Sequence, residues 1–466
     1  MAKYVSAAFS WARKGGCIVG FGLGLIHYVP LVAYLGFPIM CLVSLAGRPR
    51  WALYYAIPFL PYRSMRDHFN DLPLGEHALT LLILAVIAGA ILHGKRLPAS
   101  KFYLIWLIIG IYLYLSMWLG VVNGISPAPL WTSDSNFSTW KEYMLVPLVF
   151  IATALVADDR NAIKRIVILS AITLLIIDRS CILESMQRSW AVFDESKRDR
   201  GPLDWGPNVS AAYLVQFAMF TWGVSQFVKA KKYKIIGWGV IAASLFALLY
   251  TFSRGGYLAA LVGVLILGIL KDRKLLIILG VFLLTWQTVV PTAVRQRIDM
   301  TKNSTGELDV SAQQRVELWK ESWQSIKESP IVGKGYATFR YGQHAANLFD
   351  THNFFVKMWV ETGIIGLIMV FFLLQQVLSM GYRLFRRGND PLYRGLGLGL
   401  VLATCCSVVV NFFGDRWNLI EISGPMWVLV GAAVSAIALK ALEPLEAETQ
   451  VMSVQTRSQM VSVSRP

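Results

Sequence analysis

Charge is scarce in this chain. Asp, Glu, Lys and Arg make up 15% of its 466 residues, where a soluble domain carries about 25%. No polar stretch is long enough to fold a large soluble domain, which excludes a water-soluble multidomain protein. Cysteine is rare and unpatterned. The five, Cys17, Cys41, Cys181, Cys405 and Cys406, fall in or beside apolar segments, and none forms a Cys-x-x-Cys pair. Disulfides and structural zinc are therefore not expected, and buried free thiols are. There is no His-Glu-x-x-His, no histidine pair at i, i+4 and no acidic triad outside the apolar runs, so no metal site is expected. The absence of Gly-x-x-x-x-Gly-Lys argues against ATP, and no cofactor is called for. No internal repeat suggests a transporter built of inverted halves. No small-residue cleavage site follows the first apolar run, which is expected to stay as a span.

What the chain has is apolar residues, 55% of the total. Runs near the ~20 residues needed to cross a bilayer recur from end to end. Spans are expected at 77–94, 101–122, 140–157, 162–183, 207–229, 234–251, 254–270, 274–291, 353–381, 393–412 and 421–440. Region 16–46 holds one long span or a hairpin broken near Pro30, and 51–62 is a short re-entrant or interfacial piece. The fold class is an all-α polytopic membrane protein with about 12 transmembrane helices, or about 14 if 16–62 contributes four segments. Asp178 and Arg179 are costly inside a membrane, so the helix carrying them is expected to end at Ile177.

The net charge of +16 comes in short clusters between spans, which points to membrane orientation and not to a nucleic-acid partner. Lys95, Arg96 and Lys101, then Arg160, Lys164 and Arg165, then Lys229 to Lys234, then Lys271 to Lys274, then Arg383 to Arg394 recur two spans apart, or four across the largest loop. These clusters are expected on the cytoplasmic side, together with both termini. The Asp158-Asp159 pair falls on that side as solvated loop. The division expected is an N-terminal transmembrane bundle at 1–291, a large outer loop at 292–352, C-terminal transmembrane helices at 353–440 and a disordered cytoplasmic tail at 441–466.

The loop 292–352, about 60 residues, is long enough to be functional. Gln314 to Glu328 places Val316, Trp319, Trp323 and Ile326 at helical spacing, stopped by Pro330, so the loop is partly helical. Arginines on the outer side oppose the positive-inside tendency. Arg254 sits in Thr251-Phe252-Ser253-Arg254-Gly255-Gly256, and Arg200 opens Arg200-Gly201-Pro202. The guanidinium fork suits phosphate oxygens, with headgroup snorkelling as the plain alternative. At the end of the loop, Asp350-Thr351-His352-Asn353-Phe354 places His352 where polar loop meets apolar helix. An imidazole there suits general-base work, and His344 is a weaker candidate. Asn353 is best read as a cap for the following helix.

Four segments then form a pattern. Arg315-Val316-Glu317-Leu318-Trp319, Pro330-Ile331-Val332-Gly333-Lys334-Gly335-Tyr336, Thr351-His352-Asn353-Phe354 and Glu361-Thr362-Gly363-Ile364-Ile365-Gly366 resemble, in order and spacing, the signature of the bacterial O-antigen ligase and polymerase superfamily. The resemblance implies a GT-C type glycosyltransferase of the inner membrane. Its donor would be an undecaprenyl-pyrophosphate-linked glycan, its acceptor a lipid A-core or a lipid-linked glycan, with membrane lipids around it. It makes 292–352 a periplasmic loop and raises His352 as catalytic residue, Arg254, Arg200 and Arg315 as pyrophosphate ligands, and Asn353 as support. The reaction expected is metal-independent, inverting transfer of a glycan to lipid A-core. The alternatives are a polymerase of O-antigen or exopolysaccharide, a protein O-oligosaccharyltransferase, and a lipid-linked glycan flippase or other carrier.

Overall fold

A computed structural model describes residues 28–130, 135–187, 191–300, 310–342 and 350–439. The described residues are helical and contain no β-strand. In chain order the helices are α1 (Val29–Leu45), α2 (Pro49–Phe59), α3 (Arg63–Asp67), α4 (Ala78–Leu92), α5 (Phe102–Val122), α6 (Ser135–Val156), α7 (Arg160–Ser185) and α8 (Pro207–Ser225). They continue as α9 (Lys231–Tyr250), α10 (Arg254–Leu270), α11 (Lys274–Val289), α12 (Thr292–Asp299), α13 (Val310–Glu328), α14 (Phe354–Arg387), α15 (Pro391–Asn411) and α16 (Ile420–Ala438).

Eight of these helices, α4 with its preceding turn, α5, α6, α7, α9, α14, α15 and α16, are long and apolar enough to cross a membrane. The bent pair α11–α12, folded by 102°, makes a ninth if taken as one span, and α1 and α10 are shorter apolar helices. The chain is a multi-pass membrane protein. The expected count near 12 exceeds those that qualify, chiefly because several apolar runs form helices too short to span alone. Cys17, the start of region 16–46 and the tail 441–466 lie outside the described residues.

Burial divides the helices. Along α8 and α16 nearly every side chain is buried, whereas α11 buries none. The central helix α8 packs along α15, α9 and α10, and α16 packs on α6. A Cβ on Gly223 of α8 would lie 2.5 Å from the backbone nitrogen of Gly399 on α15. Helix backbones approach that closely in membranes where small residues meet.

Two expectations about helix ends are corrected. α7 does not stop at Ile177 but continues to Ser185, with Asp178 fully buried and accepting a hydrogen bond of 2.7 Å from Ser244 Oγ on α9. A partner from the neighbouring helix makes the carboxyl tolerable inside the bundle. Nor is the segment 353–381 a continuous helix. Gly363 breaks α14 with φ 66° and ψ −172°. Such a conformation is essentially restricted to glycine, and a Cβ there would lie 2.1 Å from the carbonyl oxygen of Ile331.

The stretch after Pro330 repairs the break. Ile364 N donates to Pro330 O (2.9 Å), Lys334 N to Val360 O (2.9 Å) and Gly335 N to Glu361 O (2.8 Å). Tyr112 OH donates to Thr362 O at 2.7 Å. Both glycine motifs of the sequence, Pro330–Tyr336 and Glu361–Gly366, are thus two halves of one junction. Backbone groups freed inside a membrane protein need such partners. The buried carboxylate of Glu361 accepts from Ala337 N and Phe339 N, at 3.0 and 3.2 Å, and fixes the next turn.

At one end of the bundle, Arg50 pairs with Asp158 and Asp159, Lys95 with Asp158, and Arg160 with both oxygens of Asp390. Asp158 and Asp159 are therefore tied to neighbours and not simply solvated. The opposite ends of α8, α10, α14 and α15 converge on the site.

Candidate functional site

The site is built from helix ends and loops that meet at the end of the bundle away from Asp158 and Asp390. Arg254 opens α10, whose N-cap Ser253 accepts from Gly256 N at 3.4 Å. The preceding turn is held from outside by Arg198. Its Nε donates to Thr251 O (3.0 Å), Nη2 to Phe252 O (3.3 Å) and to Asn208 Oδ1 (2.9 Å), and Nη1 to Glu195 Oε1 (2.8 Å). Gly255 lets the loop after α15 come close, because a Cβ there would sit 3.2 Å from Phe413. That loop carries Arg416, which is 6% exposed, donates to Val410 O (2.6 Å) and Phe413 O (3.3 Å), and leaves Nε without a partner. From α12, buried Arg297 donates to Glu195 Oε2 at 3.2 Å and lies over the Phe193 ring. From α13 comes Arg315.

The result is an open cleft of about 60 Å³ lined by Arg198, Arg254, Arg297, Arg315 and Arg416, with Glu195 as its carboxylate. Five guanidiniums converging on one cleft make an anion-binding field. Burial, and then the charge of Arg315, push the Arg416 guanidinium down to about 10, which leaves it charged at neutral pH.

His352 stands beside this cleft. Thr351 and Asn353 clasp its backbone: Thr351 Oγ1 donates to Asn353 O at 2.7 Å, and Trp319 of α13 donates to Thr351 O at 3.0 Å. His352 itself takes a left-handed φ of 52°, a strained choice of the kind found where a side chain must be aimed. Asn353 caps α14, accepting from Phe355 N and Val356 N. Burial lowers the His352 imidazole to about 4, helped by Arg315 and Arg416 and opposed by Asp415. At neutral pH the ring is uncharged.

The sequence candidates divide accordingly. Arg254 and Arg315 line one cleft, and His352 lies within the field of Arg315 and Arg416. Arg200 does not line it. This exposed residue uses its backbone instead, donating from N to Glu184 and accepting from Ser210 at its carbonyl. His344 lies outside the described residues. Sequence reasoning missed Arg198, Arg297 and Arg416. The criterion applied to Arg254, an arginine on an outer loop, covers all three. Among the described residues no three His, Cys, Asp or Glu side chains are grouped to hold a metal ion, and Cys41, Cys181, Cys405 and Cys406 are free thiols.

Residues 239–371 match the family model described as O-Antigen ligase. The match is consistent with the O-antigen ligase and polymerase superfamily, whose members are membrane glycosyltransferase-like enzymes. No curated protein matches the chain. The matched segment runs from α9 into α14 past the Gly363 break. It contributes Arg254, Arg297 and Arg315 to the cleft and contains His352, while Arg198 and Arg416 reach the cleft from outside it.

Proposed function

We propose that the chain is an O-antigen ligase-like glycosyltransferase. It moves a glycan from undecaprenyl pyrophosphate to a hydroxyl of a lipid A-core acceptor at the periplasmic face, without a metal and with inversion. The observation that carries this reading is the five-arginine cleft beside an uncharged histidine. A pyrophosphate leaving group needs positive charge where its negative charge develops, and preorganised guanidiniums supply it. The face assigned is the one opposite the basic clusters, which favour the cytoplasm.

In this mechanism the acceptor hydroxyl attacks the anomeric carbon. The new glycosidic C–O bond forms as the bond to the phosphate oxygen breaks on the opposite side. The hydroxyl proton passes to His352, and undecaprenyl pyrophosphate leaves with its charge held by Arg254, Arg315 and their neighbours. Burial makes His352 a weak base, and the charges of Arg315 and Arg416 weaken it further. A bound pyrophosphate neutralises that field and raises the basicity of the ring at the moment it is needed.

The test is the lipopolysaccharide ladder of a deletion strain. Loss of all O-chain with accumulation of lipid-linked polymer supports ligation. One repeat unit left on the core overturns it in favour of polymerisation, and an intact ladder with unglycosylated protein overturns it in favour of protein glycosylation.

A further inference from the structure

Asp350 opens the segment that carries His352 but has been given no role so far, and it is the carboxylate nearest the His352 ring among the described ion pairs. Its Oδ1 accepts the backbone N–H of His352 at 3.2 Å, and its Oδ2 lies 3.9 Å from Nδ1. The first bond closes a tight turn, so the second oxygen is aimed by the backbone and not by a free rotamer. The left-handed φ of His352 and the Thr351–Asn353 clasp hold the same turn from the other side.

We propose that Asp350 is a positioning residue: its carboxylate holds the imidazole with Nδ1–H toward itself and the Nε2 lone pair toward the arginine cleft. The inference rests on the reading of His352 as general base. When the acceptor proton arrives at Nε2, the imidazolium keeps Nδ1–H against the Asp350 carboxylate, and the proton goes no further. At 3.9 Å the contact is an ion-pair and not a hydrogen-bond distance, so the carboxylate acts by its charge, which favours Nδ1–H on its side of the ring and stabilises the protonated product.

The surroundings set the pH behaviour. Facing the pair are Arg315 from α13, Asp415 and Arg416 from the loop after α15, and Lys357 from the first turn of α14. Lys357 is itself held by Asp415 at 2.5 Å. Burial, and then repulsion from Asp415, push the Asp350 carboxyl up to about 6, above the range of His352. Its charged form is the competent one. In the free enzyme kcat/KM is therefore full above this range and falls as pH drops through it, with the raised Asp350 carboxyl contributing to the acid limb.

The experiment uses the full chain in lipid nanodiscs with ¹⁵N-labelled histidine, the His352 signals being assigned by their loss in His352→Gln. The wild type is expected to show the Nδ1–H tautomer. Asp350→Asn keeps an oxygen for the backbone N–H but removes the charge. It should lose that tautomer preference, lower kcat by at least about tenfold at little-changed KM, and move the acid limb of kcat/KM to lower pH. Asp350→Glu, which keeps the charge, should hold the limb near its wild-type place. An Nε2–H tautomer in the wild type overturns the proposal outright, without any variant. So does an Asp350→Asn enzyme that is merely less stable, with tautomer and acid limb unmoved. A fully active His352→Ala enzyme would instead overturn the general-base reading, while the tautomer measurement still decides the role of Asp350.

Discussion

Substituting Gly363 by alanine should loosen the junction that aims His352. The perturbation is a single methyl at a residue with φ 66° and ψ −172°, where an L-residue costs about 1–3 kcal/mol. The added Cβ would also stand 2.1 Å from Ile331 O, so the Pro330–Tyr336 segment must withdraw. Withdrawal breaks the bonds Ile364 N to Pro330 O and Gly335 N to Glu361 O, each contributing about 1 kcal/mol. Together the destabilisation is about 3–5 kcal/mol. Gly280, on exposed α11 with nothing within 4 Å of a Cβ, is the control, and Gly280→Ala should be neutral or stabilising by up to about 1 kcal/mol. Thermal unfolding in one detergent, followed by tryptophan fluorescence, compares the two. Turnover of Gly363→Ala below its melting temperature should also fall, because the part of α14 before the break follows directly on His352 and its cap Asn353. An unchanged melting temperature and unchanged turnover for Gly363→Ala would refute the junction.

The arginines should separate by position: Arg254→Lys and Arg198→Lys should lose most turnover, because lysine keeps charge but not the fork, whereas Arg200→Lys should change it little, as measured with a lipid-pyrophosphate donor. A normal rate for Arg254→Lys would mean that bulk charge suffices. His352→Ala should insert, bind donor and retain no more than about a hundredth of the activity, the usual contribution of base catalysis being about 10²–10⁴-fold; near-normal turnover in a folded variant would remove His352 from the chemistry. Chelator should leave the purified enzyme active, and complete inhibition reversed by added cation would overturn the metal-independent reaction.

How much was legible is clearest at three places. The hydropathy pattern located α4, α5, α9 and α15 within a few residues, because a bilayer demands a long apolar run wherever a helix crosses. It could not show the break at Gly363, since glycine is common in membrane helices and the run stays apolar through Ile364 and Ile365. Nor could it tell Arg198 from Arg200. Two residues apart in one loop, they differ only in how the turn before Gly201 presents them, one into the cleft and one to solvent.

The sequence by itself determined the membrane character and the candidacy of Arg254, Arg315 and His352, because composition, hydropathy and motif order are local properties. The tertiary structure alone decided that Arg198, Arg297 and Arg416 join Arg254 and Arg315 around one cleft, that Asp350 faces His352, and that two distant glycine motifs form one junction. Those facts depend on which helix ends meet in space. The meeting is set by packing among α8, α10, α14 and α15 over sequence separations of up to about two hundred residues, where loop closure carries only a slowly growing entropic cost.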